Sequence, residues 1–389
     1  MVHLGIDVLA AESLAHLKGA RIGLIANAAS VNSVLEHSVD VIQRAAGTNL
    51  VCLFGPQHGV WGDTQDNMIE WESFRDRKTG LPVYSLYGET RKPTPEMLEG
   101  LDGLVFDVQD VGTRVYTFIY TMAMAMEAAA EAGKRFIVLD RPNPLGGIKL
   151  EGNLLEDEYK SFVGMYPIPM RHGMTVGELA LMFNSEFGIN CDLNVVEMKG
   201  WRRHYLWEDT GLTWVMPSPN IPTAGTGAVY PGTVFLEGTN ISEGRGTTRP
   251  FEILGAPYID PHELAGELTQ ELLPGAVFRP LYFTPTFQKY AGQTCGGVQI
   301  HIIDRELFRP VITGVAIISC VRRLYAHAFA WRQPPYEYVS DRLPFDVISG
   351  TSRLRKQIED NVKWRDIEDE WRQPLAAFQE RRRPYLRYD

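Results

Sequence analysis

The sequence lacks the short motifs that mark several large classes of enzyme. It contains no GxxxxGK[ST] segment, which excludes a Walker-type phosphate loop, and Asn27-Ala28-Ala29-Ser30 stands where GxGxxG would follow the first predicted strand. It also contains no HExxH, no closely spaced histidine and cysteine ligands and no GxSxG turn. These absences argue against nucleotide-dependent, nicotinamide-dependent, zinc-dependent and serine-hydrolase chemistry, and we expect no cofactor and no bound metal.

Cysteines and long apolar runs are also few. The four cysteines are far apart and form no CxxC pair, and because Cys52 and Cys320 lie in apolar runs we interpret them as buried free thiols. No run reaches the roughly 18–20 apolar residues of a membrane span, and residues 1–20 lack the basic and apolar parts of a signal peptide. We therefore expect a cytoplasmic protein, although a secreted protein whose leader had been removed would show the same pattern.

The sequence contains fewer basic than acidic residues. The net charge of −10 argues against a broad surface for nucleic acid or for an anionic membrane. An anionic small molecule is still compatible, because it needs only one or two local arginines. The length of 389 residues, with 44% hydrophobic and 22% charged residues, suits a soluble globular protein of two or three domains.

The first half of the chain alternates apolar strands with helical segments. This alternation is typical of a parallel, doubly wound α/β sheet. Strands are predicted at 21–27, 50–54, 82–87, 104–108, 135–139 and 191–198, and helices at 34–46, 94–100, 116–132 and 176–187.

The second half shows a different order of elements. A helix, two strands and a helix are predicted at 261–273, 278–283, 298–303 and 311–331, and a charged helical region runs from about residue 344 to the end. We interpret this part as a second, smaller α/β domain. The predicted domains are 1–228, which carries most of the site, and 229–389, which closes the cleft.

Polar side chains follow the ends of five predicted strands. The second strand, for example, stops at Gly55-Pro56, and Gln57 and His58 come next. Because the carboxyl ends of parallel strands meet at one edge of a sheet, we expect these side chains to cluster there. About half of them are expected to cap helices or bind loop backbone instead. The set comprises Asn27, Gln57, His58, Glu89, Arg91, Asp107, Gln109, Asp110, Arg114, Asp140, Arg141 and Asn143.

Two later segments are also candidates for ligand binding. Arg171 and His172 precede a predicted helix, whose N-terminus favours anions. The glycine-rich, charged segment 236–250 is interpreted as a ligand-facing loop near the domain junction. Carboxylates, arginine, histidine and tyrosine around a cleft suit hydrolysis by paired carboxyls, as in glycosidases, and equally suit binding of a sugar or anion.

Several long motifs occur in a specific order: FGPQHG at 54–59, FDVQDVGTR at 106–114, LDRPNP at 139–144, YPIPMRHGMT at 166–175, and EGTN at 237–240 followed by RPFE at 249–252. In this order they resemble the NamZ-type exo-β-N-acetylmuramidases, long filed as a domain-of-unknown-function family. The resemblance extends from about residue 4 to the C-terminal region.

The resemblance implies a Rossmann-like N-terminal domain, a smaller C-terminal domain and a cleft between them. It also implies release of N-acetylmuramic acid, or a related amino sugar, from the non-reducing ends of peptidoglycan fragments. In characterised relatives the proposed catalytic carboxylate lies in a Pro-Glu-His-Gly turn, and here that turn contains Gln57. A glutamine cannot donate a proton as a general acid.

Three interpretations of Gln57 follow. Another carboxylate supplies the acid and Gln57 orients substrate, or the substrate or reaction has changed, or the protein binds sugar without cleaving it. The acidic segment 63–72 favours the first interpretation. The predicted catalytic residues are Gln57, His58, Asp66, Glu70 and Glu89.

The predicted partner is a small sugar or muropeptide, and the sequence does not indicate the oligomeric state. Arg171, Arg245 and Arg249 are alternatives for pairing with the lactyl carboxylate of muramic acid, because the arginine fork matches a carboxylate. The predicted substrate-binding residues are Asn27, Asp63, Arg91, Asp107, Asp110, Arg114, Asp140, Arg171, His172, Asn220, Glu237, Asn240, Glu243, Arg245 and Arg249.

Overall fold

A computed structural model describes residues 1–12, 17–45 and 47–389. Its N-terminal part is built on a sheet with the strand order β3-β4-β2-β1-β5-β6-β9. Neighbouring strands pair in parallel except β3 with β4, so the predicted parallel sheet is confirmed. The strands of this part are β1 Arg21–Ala26, β2 Asn49–Gly55, β3 Phe74–Arg75, β4 Pro82–Ser85, β5 Gly103–Asp107, β6 Arg135–Leu139, β7 Glu151–Leu154, β8 Pro169–Arg171 and β9 Asp192–Val196. The short strands β7 and β8 form a separate antiparallel pair.

Helices cover both faces of this sheet, which explains why its central strands are continuous apolar runs. Strand β5 is buried along its whole length. The four cysteines are buried and free, which confirms the prediction made for Cys52 and Cys320. The helices of this part are α1 Gly5–Ala11, α2 Ser38–Arg44, α3 Pro95–Leu98, α4 Phe118–Glu131, α5 Val176–Glu186 and α6 Ala224–Thr233.

Helix α2 is shorter than the helix predicted at 34–46. It begins after His37, whose ring accepts a hydrogen bond from the Val39 amide, and Leu35 has a positive φ that a helix does not allow. Ala46 lies outside the described residues. Helix α5 begins with the predicted capping box, in which Thr175 and Glu178 exchange side-chain to backbone hydrogen bonds.

The second domain contains a three-stranded antiparallel sheet with the order β10-β12-β11. The predicted helix, two strands and helix are all present, but the last helix stops at Leu324, and β10 was not predicted. The charged C-terminal region consists of three helices. The elements are β10 Ile253–Ala256, α7 Pro261–Gln270, β11 Ala276–Phe283, β12 Cys295–Ile302, α8 Pro310–Leu324, α9 Pro344–Ser349, α10 Arg353–Glu359 and α11 Trp364–Arg382.

The two parts of the chain are tightly joined. Helix α6 packs against α8 at two glycines, and a Cβ atom on Gly232 would lie 1.8 Å from the Pro310 carbonyl oxygen, so this crossing requires glycine. None of the helices in the described part of the chain is long and apolar enough to cross a membrane. Segments of the second domain reach the carboxyl ends of β2 and β6, where Glu337 accepts a hydrogen bond from Gln57 and Tyr388 donates one to Asp140.

Candidate active site

A small buried cavity lies just beyond the carboxyl end of β2. Both parts of the chain contribute side chains to its wall. Residues 1–228 contribute Gln57, His58, Asn67, Thr117 and Asn220, and residues 229–389 contribute Tyr230, Glu237, Arg245, Tyr336 and Glu337, among others. Five of the residues predicted from the sequence therefore meet here: Gln57, His58, Asn220, Glu237 and Arg245.

His58 enters the cavity from a tight turn after β2. Its φ of 71° lies in the left-handed region, which is uncommon for a residue other than glycine. Its Nδ1 lies 2.8 Å from the Thr64 carbonyl oxygen, which can only accept, so Nδ1 carries the proton and Nε2 is left as an acceptor. Burial lowers the pKa of His58 to about 4, so the imidazole is neutral at physiological pH.

Gln57 bridges two segments that are far apart in the sequence. Its side-chain carbonyl oxygen accepts a hydrogen bond from Thr117 Oγ1 at 2.8 Å. This fixes the orientation of the amide, so that Nε2 donates toward Glu337 Oε1 at 3.4 Å. The predicted catalytic turn therefore ends on a carboxyl group of the second domain, which the sequence had not indicated.

Glu337 lies at the tip of a tight turn between α8 and α9. Tyr336 and Val339 exchange two backbone hydrogen bonds, and the two residues between them, Glu337 and Tyr338, have φ values of 42° and 67°. Positive φ at both central positions is the geometry of a type I′ turn, which asparagine and glycine normally occupy. A glutamate and a tyrosine in this conformation cost of order 1–3 kcal/mol each.

The turn places Glu337 in the wall of the cavity. The residue is 4% exposed, and Oε2 accepts a hydrogen bond from the Tyr87 hydroxyl at 2.9 Å. Burial raises the pKa of Glu337 to about 7, against the lowering effect of the hydrogen bond from Tyr87, and the negative charge of Glu237 raises it further. A carboxyl group that is part protonated at neutral pH is thus held beside Gln57.

This buried carboxyl group should make stability depend on pH. The pKa of Glu337 is raised in the folded protein, so its contribution to folding is full below the unfolded pKa and is lost as pH rises through about 7. Between pH 5 and pH 8 the unfolding free energy of the wild type is therefore expected to fall by about 2–3 kcal/mol more than that of Glu337→Gln, which lacks this titrating group. Urea unfolding of both proteins at the two pH values measures this difference, and equal pH dependence would contradict it.

Glu237 and Arg245 form the second charged group of the cavity. Glu237 accepts hydrogen bonds from Arg245 at 2.9 Å, Tyr336 at 2.8 Å and Asn67 at 3.1 Å. The side chain of Arg245 is 7% exposed and also lies 3.5 Å from Glu243, which is paired with Lys289. Within the described part of the chain, Nη1 of Arg245 has no hydrogen-bond partner. A buried guanidinium with a free donor is suited to bind an anionic ligand.

The acidic residues predicted from the segment after His58 lie outside the cavity. Asp66 accepts a hydrogen bond from Gln288, and Glu70 accepts one from Tyr338, on the outer side of the turn. Glu89 is exposed and lines a separate open groove together with Glu70. Asp63 is also exposed. The structure thus brings none of these four carboxylates next to Gln57.

Most of the residues at the strand ends are buried, but their side chains bind other protein groups and do not line the cavity. Asp107 is ion-paired with Arg141 at 2.6 Å, and Asp110 lies 3.2 Å from His172 Nε2. Asn27 donates to the Pro217 carbonyl oxygen. Asp140 bonds Thr175 and the Gly177 amide at the start of α5, and burial raises its pKa to about 7.

Three predicted arginines have structural partners instead of cavity positions. Arg114 donates to backbone carbonyls of both domains, and Arg171 is ion-paired with Glu151 at 2.5 Å. Arg249 is 52% exposed and lies 3.5 Å from Glu252. A fourth, Arg91, lies over the rings of Tyr87, Phe162 and Tyr338. Asn240 donates to the Ala328 carbonyl oxygen.

The residues that the structure describes contain no group of three or more histidine, cysteine, aspartate or glutamate side chains arranged to hold a metal ion. The ionisable groups of the cavity include two carboxyls, a guanidinium and an imidazole, and its wall also carries several side-chain amides and hydroxyls. This set can bind an anionic sugar and can donate and accept protons around it.

The whole chain is similar to known proteins of one family. The family model "Exo-beta-N-acetylmuramidase NamZ, N-terminal" matches residues 22–225, and the corresponding C-terminal model matches residues 228–388. The chain is 51% identical over 387 residues to the peptidoglycan β-N-acetylmuramidase NamZ of Bacillus subtilis strain 168, which covers 100% of this chain and 91% of that protein.

Two crystal structures of DUF1343-family proteins from Bacteroides fragilis are also similar. One has a TM-score of 0.89 at 40% identity and the other a TM-score of 0.77 at 30% identity. Each comparison covers 100% of this chain and 99% of the other chain. On the evidence of both family models and of a relative at 51% identity, the chain belongs to the NamZ family of exo-β-N-acetylmuramidases.

Proposed function

We propose that the protein is a glycoside hydrolase that releases N-acetylmuramic acid from the non-reducing ends of peptidoglycan fragments. The observation that carries the proposal is the cavity in which two buried carboxyls, Glu237 and Glu337, lie beside the free donor of Arg245. Glycosidases of most families use two carboxyl groups on either side of the scissile bond. The similarity to a peptidoglycan β-N-acetylmuramidase supports the same substrate class.

Arg245 is proposed to recognise the substrate. N-acetylmuramic acid differs from N-acetylglucosamine by a lactyl group with a carboxylate, so a muramidase needs a cation at one side of the sugar. Arg245 already donates through Nη2 to Glu237, which leaves Nη1 for the ligand. Hydrogen bonds between a guanidinium and a carboxylate are about twice as strong as neutral ones.

The cavity has to open before a sugar can enter. It encloses about 40 Å³ here, whereas ligand pockets usually measure about 300–1,000 Å³. The segments that close it are the loop after Gln57 and the turn at Glu337, which are joined by the hydrogen bond between Tyr338 and Glu70 and by contact of Glu337 with Met68. We propose that these two segments separate to admit substrate and close again over it.

Sugar binding without cleavage is the alternative function, because Gln57 replaces the expected carboxylate. The cavity supplies two other carboxyls, so the replacement does not by itself remove the chemistry. Hydrolysis is therefore favoured over binding alone.

The experiment is hydrolysis of an aryl β-N-acetylmuramide and of the matching aryl β-N-acetylglucosaminide. We expect release of the aryl group from the muramide and little from the glucosaminide. If neither compound is turned over while calorimetry still detects binding of N-acetylmuramate, the protein is a binding protein and the proposal fails.

Three finer points stay predictions. The division of the chain at 228/229 falls inside α6, so we propose that the two domains are joined by a continuous helix. A cytoplasmic location and the lack of a nucleic-acid partner follow only from the sequence.

A further inference from the structure

We propose that Glu337 is the general acid of this protein and that the C-terminal domain delivers it to the place where Gln57 stands instead of a carboxylate. Gln57 is then a positioning residue, which holds the Glu337 carboxyl through its side-chain amide. The proposal rests on the glycosidase function proposed above and identifies the group that carries its acid catalysis.

The strained backbone of the turn supports a functional role for Glu337. Glu337 and Tyr338 both adopt positive φ in a two-residue turn closed by Tyr336 and Val339. Asparagine or glycine would form this turn with less strain. Local rules of this kind are broken mainly at functional sites, where strain serves the geometry of a side chain. Here the strained residue is the one whose carboxyl enters the cavity.

The surroundings of the Glu337 carboxyl favour its protonated form. The hydrogen-bond partners of the Glu337 side chain, Tyr87 and Gln57, are both uncharged, and the carboxyl is almost fully buried. A buried carboxyl without a cation in contact is favoured in its protonated form. Each oxygen accepts one hydrogen bond from these partners, which leaves room for a proton directed into the cavity.

The other carboxyls fit this role less well. Asp66 and Glu70 bond residues outside the cavity, and Glu89 is exposed. Glu237 is ion-paired with Arg245 and accepts two further hydrogen bonds, so it is equipped to act as a carboxylate. The two carboxyls of the cavity therefore have environments that suit opposite roles.

In the proposed hydrolysis, Glu337 donates one proton and Glu237 accepts one. Glu337 gives its proton to the glycosidic oxygen while the bond from that oxygen to the anomeric carbon breaks, and the bonding electron pair stays on the oxygen. The oxygen of a water molecule bonds to the anomeric carbon and loses one proton to the Glu237 carboxylate. That proton returns to Glu337 through solvent, so one water is consumed and both carboxyls are restored.

This assignment predicts how kcat/KM depends on pH. The groups that face Glu337 from neighbouring elements are Tyr87, Arg91, Tyr230, Glu237 and Tyr336. Burial raises the pKa of Glu337 to about 7, and among these groups Glu237 raises it further while Tyr87 and Arg91 lower it. With His58 neutral down to about pH 4, kcat/KM is expected to fall as pH rises through about 7.

The test compares two leaving groups in Glu337→Gln. The disaccharide N-acetylmuramyl-β-1,4-N-acetylglucosamine needs a proton on its leaving oxygen, whereas a dinitrophenyl β-N-acetylmuramide does not. We expect about 10²–10⁴-fold loss of kcat on the disaccharide and at most about tenfold loss on the dinitrophenyl glycoside. The variant should also lose the fall of kcat/KM near pH 7. The matched control is Glu380→Gln, an exposed glutamate of α11, which should behave as wild type.

Gln57→Ala tests the positioning role. We expect disaccharide hydrolysis to fall about 10–100-fold and the pH at which kcat/KM falls to change, because the amide no longer donates to Glu337. Loss of rate with an unchanged pH profile would overturn the positioning role and leave Gln57 a structural residue.

The remaining outcomes separate this inference from the proposed function. If the wild type cleaves neither compound, the function itself fails. If the wild type cleaves both and Glu337→Gln loses neither or loses both equally, the function stands and the general-acid role is overturned. If Glu337→Gln does not fold, the wild-type pH profile decides, because unchanged kcat/KM from pH 6 to pH 9 would overturn the role.

Discussion

Replacing Arg245 by methionine is expected to weaken the binding of N-acetylmuramate by about 10–150-fold while the binding of N-acetylglucosamine changes little. The range corresponds to about 1.5–3 kcal/mol, which is typical for hydrogen bonds to a charged group. Only N-acetylmuramate has the carboxylate that the free Nη1 of Arg245 is proposed to meet. Calorimetric titration of both sugars measures the ratio directly.

Two further variants make the Arg245 measurement specific. Arg245→Lys keeps a positive charge beside Glu237 but loses the planar fork, so it should recover only part of the affinity. Arg249→Met, in the same loop, removes an exposed arginine paired with Glu252 and should change little. Equal loss of affinity for both sugars in Arg245→Met would show that the residue supports the cavity without recognising the lactyl group.

Replacing Arg114 by methionine is expected to destabilise the protein by about 3–5 kcal/mol, which lies at the upper end of single-residue effects. Its guanidinium is fully buried and joins the two domains. Nη1 donates to the carbonyl oxygens of Asn153 and Ile168, and Nη2 donates to that of Ser349 at 2.6 Å. Methionine fills much of the volume but leaves these buried oxygens without their donors.

Denaturant unfolding of Arg114→Met measures this loss, and Arg353→Met is the comparison. Arg353 is 67% exposed and paired with Glu370, so its replacement should change the unfolding free energy by less than about 0.5 kcal/mol. A loss below about 1 kcal/mol in Arg114→Met would contradict a structural role and would return the residue to the candidates for substrate binding.

The parallel sheet was predictable because its signals are local. Residues 136–139, for example, form a continuous apolar run that is followed by Asp140, and the alternation of such runs with helices indicates the parallel arrangement. For the helix predicted at 311–331, local signals do not indicate where the helix ends. The apolar spacing continues to Trp331, but α8 stops at Leu324 and the aromatic residues after it pack in the core.

The carboxyl opposite Gln57 was not predictable from one sequence. Glu337 is 280 positions from Gln57, and no local pattern links the two. The segment Pro334-Pro335-Tyr336-Glu337-Tyr338 has neither a helical nor a strand period, and a single glutamate in it carries no signal of its own. The sequence favours the acidic residues that are nearer to Gln57, but the side chains of Asp66 and Glu70 bond Gln288 and Tyr338 outside the cavity.

The strand-end residues show the opposite case, in which the position was predictable and the role was not. Asp107, Asp110 and Asp140 do meet at the carboxyl edge of the sheet, as the topology requires. Buried carboxylates need partners, however, and here the partners are Arg141, His172 and the start of α5. Whether a buried charge faces a ligand or another side chain depends on packing that the spacing of residues does not encode.

Two disaccharides with opposite order of sugars test whether the protein is an exo-acting β-N-acetylmuramidase. In N-acetylmuramyl-β-1,4-N-acetylglucosamine the muramic acid is at the non-reducing end, and in N-acetylglucosaminyl-β-1,4-N-acetylmuramic acid it is at the reducing end. We predict that the wild-type protein cleaves only the first and releases free N-acetylmuramic acid and N-acetylglucosamine in equal amounts, as identified by mass spectrometry. Cleavage of the second compound, or no cleavage of the first, would show that the protein does not have this exo-acting activity.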